Sequence, residues 1–254
     1  MQYGQFASHY DRLMADAPYA EWQAFLSAVW NKHRLAPRTV VDLGCGTGRL
    51  AIPLAEQGLN VIGVDLSENM LAAANARYEE RQREGAFASG GHVIWQEQDM
   101  RELELAEPVP CIYSFCDCLN YVLEEEGVCE VFRHVYAGLE EGGLFIFDVH
   151  TPRQIEQYYT NQPYVLDEDD MAYIWTCELN EERCEVEHAL TIFYQQADGS
   201  FQRFEETHQQ RAYPLEWIRS ELSAAGFSQV ASYGDFTFRA PTKATERAFF
   251  VAMK

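Results

Sequence analysis

Lysine is almost missing from this chain of 254 residues: only Lys32, Lys243 and Lys254 occur, and nineteen bases in all stand against forty acids. The formal charge of −21 argues against a broad phosphate-binding face, which needs many cations on one side to displace the counterions of a nucleic acid. Local arginine patches stay compatible with it. A run of about eighteen apolar residues, the length that crosses a bilayer, is absent too. The opening MQYGQFASHYDRLM has no basic start followed by an apolar core, so neither a membrane span nor a secretion signal is expected and a cytoplasmic location follows. Seven cysteines form an odd set without paired C-x-x-C spacing, which argues against a disulfide framework and a structural zinc site and leaves no metal expected.

The chain does have apolar content, 47% of its residues, and a length that suits one doubly wound α/β domain with an insertion better than two full domains. The most informative stretch is Thr39 to Met70, TVVDLGCGTGRLAIPLAEQGLNVIGVDLSENM. An apolar run ends in Asp42, the chain turns through Gly44, Gly46 and Gly48, a helical pattern sets Leu50, Ala51, Leu54 and Ala55 on one face, and a second apolar run ends in Asp65. Strand, glycine turn, helix and strand make a nucleoside-binding unit. Glycines let the backbone turn tightly against a ligand, and free amides at a helix start favour an arriving carboxylate or phosphate. Asp65, at the tip of the next strand, can accept both hydroxyls of a ribose. A dinucleotide site fits less well, because Arg49 stands where G-x-G-x-x-G requires its last glycine.

Asp42-Leu43-Gly44-Cys45-Gly46-Thr47-Gly48 resembles motif I, D-x-G-x-G-x-G, of the class I S-adenosylmethionine-dependent methyltransferases, and nearly the whole chain outside the insertion follows that family's order of elements. The resemblance is to small bacterial-type members, some of which carry a β insertion after the fifth strand. It implies a Rossmann-like, mostly parallel seven-stranded sheet and S-adenosylmethionine as cofactor. It assigns Gly44, Cys45, Gly46 and Gly48 to the methionine end, Asp65 to the ribose, Asp99 and Met100 to adenine, and Cys116 and Asp117 to the acceptor-facing side, with Leu66 also in the cofactor site. A carboxylate suits the adenine N6 donor and a thioether suits its flat face. In enzymes of this kind an N-terminal segment with a Tyr-Asp pair folds over the methionine end, which makes Tyr3 and Tyr10 candidates there; hydrophobic anchoring of the segment is the alternative.

Helices are expected over Tyr19–His33, after the N-cap Ser67, over Glu125–Leu139 and from Pro214 to Gly226; HVIWQ and CIYSF read as strands, LFIFDVH as a buried parallel strand, and SQVASYGDF with RAFFVAMK as an antiparallel edge pair. The CIYSF strand delivers Cys116-Asp117-Cys118-Leu119-Asn120-Tyr121 to the crevice. No proline lies between 111 and 151, which excludes the [N/D]-P-P-[Y/F/W] signature of enzymes that methylate exocyclic amines of nucleic acid bases. Nothing beside Cys116 or Cys118 is arranged to lower a thiol pKa. His150, whose neutral imidazole can take a proton from a hydroxyl or an ammonium, is a candidate catalytic residue with Tyr121 and Asn120; a bond from His150 to loop backbone before Pro152 is the plainer reading.

From Thr151 to Ala212 the pattern changes to strands alone, an antiparallel meander in which Cys177 and Cys184 could face each other. Residues 1–150 and 213–254 are therefore expected to form the cofactor-binding domain, with 151–212 covering the active site through Tyr158, Tyr159, Tyr173, Trp175, Tyr194 or Arg211. A homodimer through this insertion is the rival use of the same aromatics. The expected function is methyl transfer from S-adenosylmethionine to a small molecule. An RNA (tRNA) methyltransferase, a nicotinamide-nucleotide oxidoreductase and a non-catalytic cofactor-binding module are the alternatives, with nucleic acid disfavoured by the acidic charge and no membrane partner expected.

Overall fold

In the computed structural model, which describes residues 12–14 and 16–254, helix α1 (Tyr19–His33) leads into a regular alternation of strand and helix. The alternation is β1 (Thr39–Leu43), α2 (Ala51–Glu56), β2 (Asn60–Asp65), α3 (Glu68–Arg83), β3 (His92–Glu97), β4 (Val109–Ser114), α4 (Glu125–Gly138) and β5 (Leu139–His150). Tyr3 and Tyr10 lie outside the described residues. Local chemistry sets the boundaries. The Ser67 hydroxyl accepts the Met70 amide at 3.3 Å and so starts α3.

The chain closes with α6 (Leu215–Ala224), β10 (Gln229–Gly234) and β11 (Arg247–Met253). The main sheet runs β10-β11-β5-β4-β1-β2-β3, with β11 antiparallel to both its neighbours and the other pairings, β4 with β5 and β1 and β2 with β1 and β3, parallel. The expected antiparallel edge pair is present: β10 is the outermost strand and β11 pairs with it one place inside. Its run of Ala248 to Ala252 is buried because both faces of an interior strand are covered. Along β5 the side chains alternate, Phe145, Phe147 and Val149 joining a core with Phe132 of α4 and Ile218 of α6, and Leu144 and Ile146 joining one with Trp22 and Phe25 of α1. Each such side chain contributes about 1.5–3 kcal/mol by leaving water, so the helices on both faces are held by the strands' period of two.

Between β5 and α6 the chain is not strands alone. Helix α5 (Pro152–Asn161) comes first, capped by the Thr151 hydroxyl with proline at its first position. A second sheet follows, β6 (Tyr164–Asp167), β7 (Met171–Asn180), β8 (Glu185–Gln195) and β9 (Phe201–Arg211), antiparallel throughout. Cys177 stands opposite His188 and not Cys184, and both thiols are free. Ile192 of β8 packs on Met70 of α3, while Arg183 and Arg211 both donate to the Leu123 carbonyl, at 3.2 and 2.9 Å. These contacts seat the second sheet against the carboxyl ends of the first.

Candidate active site

The sheet order reverses between β1 and β4, and at that point a cavity of about 1040 Å³ opens beyond the strand ends. One end is built on the glycine turn. The amides of Gly44 and Cys45 donate to the Val64 carbonyl at 2.7 and 2.9 Å, which ties the turn to β2, and Arg77 holds its far side through the Thr47 carbonyl at 2.7 Å. Gly46, in the left-handed region at φ +53°, would place a Cβ in open space; Gly44 (φ +81°) would drive one to 2.6 Å from Cys118 Sγ. Gly48 does not line the cavity, since its missing Cβ makes room for Trp95 and Ile52 beneath it.

Three carboxylates surround this end. Asp42, almost fully buried, is pushed up to about 7 by burial. Asp65 accepts the Gly46 amide at 2.8 Å and the Ser67 amide at 2.9 Å; burial raises it, and those amides oppose the rise. Asp99 lies across the cavity with Met100 and is held below the usual carboxylate range by Arg101, whose Nε stands 2.9 Å from Oδ1. Leu66, 62% exposed, offers the cavity an apolar face. A nucleoside with an amino acid tail fits this set: an open glycine cradle, a buried acid behind it, and two further acids lining the same cavity.

The other end is built where β4, β5 and β11 finish. Cys116 and Asp117 are consecutive non-glycine residues in the left-handed region, φ +61° and +54°, which turns Asp117 inward beneath the second sheet. Arg247, the cross-strand partner of His150, donates from Nη2 to Asp117 Oδ1 at 3.0 Å and to His150 Nε2 at 2.7 Å, and pairs with Asp148 through Nη1. Burial opposes its charge, but Asp148 and Asp117 outweigh it and raise the guanidinium. Burial alone would also raise Asp117, yet His150, Arg247 and Gln210 together hold it below the usual range. Burial drives His150 down to about 4, so its imidazole is neutral near pH 7.

A directed chain reaches Asp117 from the second sheet. A carboxylate only accepts, so Gln210 presents Nε2 to Asp117 Oδ2 at 2.6 Å; its Oε1 then faces His188 Nε2 at 3.2 Å, and His188 Nδ1 is left to accept from Trp175 Nε1 at 3.1 Å. Each polarity fixes the next.

Of the residues picked from the sequence, Gly44, Cys45, Gly46, Asp65, Leu66, Asp99, Met100, Cys116, Asp117, Tyr121 and His150 line one cavity. Asn120 does not: fully buried, it accepts the His150 amide and donates to the carbonyls of His150 and Arg211. Tyr158, Tyr173 and Trp175 reach the cavity, whereas Tyr159, Tyr194 and Arg211 do not. Burial raises the Cys116 and Cys118 thiols far above their ordinary value, which leaves them unreactive. Sequence reasoning missed Arg247, Gln210, His188 and Arg49; a lone charged residue opening the apolar run RAFFVAM was the available signal for the first.

The profile of the family described as a methyltransferase domain matches residues 40–143. A protein of Geobacillus sp. (strain WCH70) classed as a methyltransferase is 40% identical over 255 residues, covering all of both chains. YqeM of Bacillus subtilis (strain 168), classed likewise, is 34% identical over 256 residues, all of this chain and 98% of that one. Among solved structures, an S-adenosylmethionine-dependent methyltransferase from Clostridium acetobutylicum ATCC 824 superposes with a TM-score of 0.85 at 27% identity, over 99% of this chain and 98% of the other.

Proposed function

Since the chain belongs to the class I S-adenosylmethionine-dependent methyltransferases, we propose that it methylates a small molecule held at the Asp117 end of the cavity. The observation that carries this reading is a single cavity whose volume, about 1040 Å³, lies at the upper limit of small-molecule pockets. Its lining includes the glycine turn with Asp42, Asp65 and Asp99, and also Asp117, His150 and Arg247. The cofactor supplies a methyl group on a positively charged sulfur, which is electrophilic without further activation.

In this reading the protein's own groups bind, orient and exclude water. Asp42 and the Gly44–Gly46 turn would hold the methionine end, with Arg49, which also lines the cavity, opposite the carboxylate. Asp65 would accept the ribose hydroxyls, and Asp99, Leu66 and Met100 would flank adenine. α5 and the second sheet, within residues 151–212, would roof the acceptor end through Tyr158, Trp175 and Gln210. Holding acceptor and methyl carbon in line within a water-poor chamber supplies most of the rate. Val165 and Ile174, cross-strand neighbours 63% and 48% exposed on the second sheet, are where a homodimer through the insertion would pair, and a monomer mass in small-angle scattering would refute it. No helix among the described residues is long and apolar enough to cross a membrane, and seven free cysteines fit a reducing cytoplasm.

The test is incubation with methyl-labelled S-adenosylmethionine and an extract separated into metabolites and RNA. Label in the metabolite fraction is expected; label confined to RNA overturns the reading.

A further inference from the structure

We propose that the acceptor is an amine that arrives as a cation, recognised by Asp117 and by the aromatic rings around it, and that the enzyme is an N-methyltransferase. This rests on the small-molecule reading above and narrows it to a class. Charge is the first support. Seven acidic side chains line the cavity against three arginines, and even with Asp42 only partly ionised near neutral pH the balance draws cations in and turns anions away. At the acceptor end the one arginine, Arg247, is shared between Asp117 and Asp148, and the histidines beside it are neutral, so the group carries a net negative charge.

The walls agree with the charge. Tyr158 and Trp175 both face the cavity, with ring centroids 5.4 Å apart, and Tyr121 and Tyr173 line it as well. Aromatic faces attract a desolvated ammonium. The carboxylate still has acceptor capacity after taking one bond from Arg247 and one from Gln210, because its two oxygens offer about four lone-pair sites.

The hydrogen-bond polarity disfavours an alcohol. An alcohol needs a base for its proton as the methyl arrives; the His150 Nε2 lone pair is engaged by Arg247 and both His188 nitrogens by Trp175 and Gln210, which leaves of this group only Asp117, held below the usual carboxylate range and so a weak base. An amine needs no such base. Its ammonium releases one proton to water, and the nitrogen lone pair then forms the N–C bond as the C–S bond gives its pair to sulfur. The sulfonium becomes a neutral thioether, and the positive charge passes to the methylated nitrogen.

Protein loaded with S-adenosylhomocysteine should be titrated near neutral pH with three probes of one shape: cyclohexylamine, cyclohexanol and cyclohexanecarboxylate. The amine is expected to bind at least about tenfold tighter than the carboxylate and, with methyl-labelled S-adenosylmethionine, to be the probe that takes up label. Asn tolerates the left-handed backbone at this position, so Asp117→Asn should fold, and it should shrink the amine-to-carboxylate ratio to below about threefold. The ratio is internal to each protein and is insensitive to partial unfolding. Amine binding that is absent, or no tighter than carboxylate, overturns the proposal while leaving the methyltransferase reading intact; failure to bind S-adenosylhomocysteine at all removes the parent reading instead. A ratio untouched by Asp117→Asn removes Asp117 from recognition.

Discussion

Cys118 Sγ lies under the glycine turn, 2.6 Å from where a Cβ on Gly44 would sit, and it donates to the Gly44 carbonyl at 3.4 Å. The turn after β1 and the loop after β4 are therefore fitted to each other with no spare volume. Gly44→Ala meets both a left-handed backbone, which disfavours alanine by about 1–2 kcal/mol, and this thiol. Gly46→Ala meets the backbone penalty alone, because its Cβ would enter open space in the cavity. The expected outcome is a split. Gly44→Ala lowers the melting temperature more, by about 5 °C or beyond, while Gly46→Ala loses about tenfold in S-adenosylmethionine affinity at small cost in stability. Calorimetric titration and thermal melting of the pair would check it, and equal melting losses would contradict the packing argument.

Asn120 ties its own loop to two other segments: the end of β5 through both backbone groups of His150, and the end of β9 through the Arg211 carbonyl at 2.8 Å. Truncation to alanine strands buried donors and acceptors, each worth about 1–3 kcal/mol. Asn120→Ala should thus destabilise by about 2–4 kcal/mol in denaturant melts, with lost turnover tracking lost folded protein. A stable variant with abolished turnover would restore Asn120 to the chemistry.

These cases show what the sequence could carry. Motif spacing located Gly44, Asp65 and Asp99 because the glycine turn and strand tips are local features, set within one strand-turn-helix unit. Asn120 read as a catalytic candidate because it stands at a strand end, yet its neighbours at Arg211 and His150 come from distant segments that no spacing reveals. Arg247 was hidden for the same reason: its partners Asp117 and Asp148 become neighbours only when β11 inserts beside β5. Helix α5 was legible in Thr151-Pro152, a cap followed by proline, but the strand pattern on either side obscured it.

Asp42 ties stability to function. Burial moves its carboxyl from an ordinary 3.8 to about 7, so the folded state holds the proton more tightly than the unfolded chain. Stability from that proton is present below about pH 4 and is lost as pH rises through about 7, a change of at most about 4 kcal/mol. Asp42→Asn keeps the shape without the buried charge. The melting difference, variant minus parent, should be near zero at about pH 4 and positive above about pH 7, while S-adenosylmethionine affinity falls about tenfold. A difference that stays flat with pH would show that the carboxyl titrates normally.

Arg12 donates to Asp170 Oδ2 at 2.7 Å and to Glu168 Oε2 at 2.6 Å, pinning Leu13 and Met14, which line the cavity, to the turn between β6 and β7. The pairing is largely exposed, so it adds little to global stability and is screened by salt. Its effect should fall on the cavity it borders. Arg12→Ala is expected to keep the melting temperature within about 2 °C, yet to speed S-adenosylmethionine release about threefold to tenfold in stopped-flow displacement. Raising ionic strength should speed release from the parent protein and leave the variant almost unchanged, since only the parent has a clasp to screen. Release that responds to salt equally in both proteins would mean that Arg12 does not hold the cavity closed.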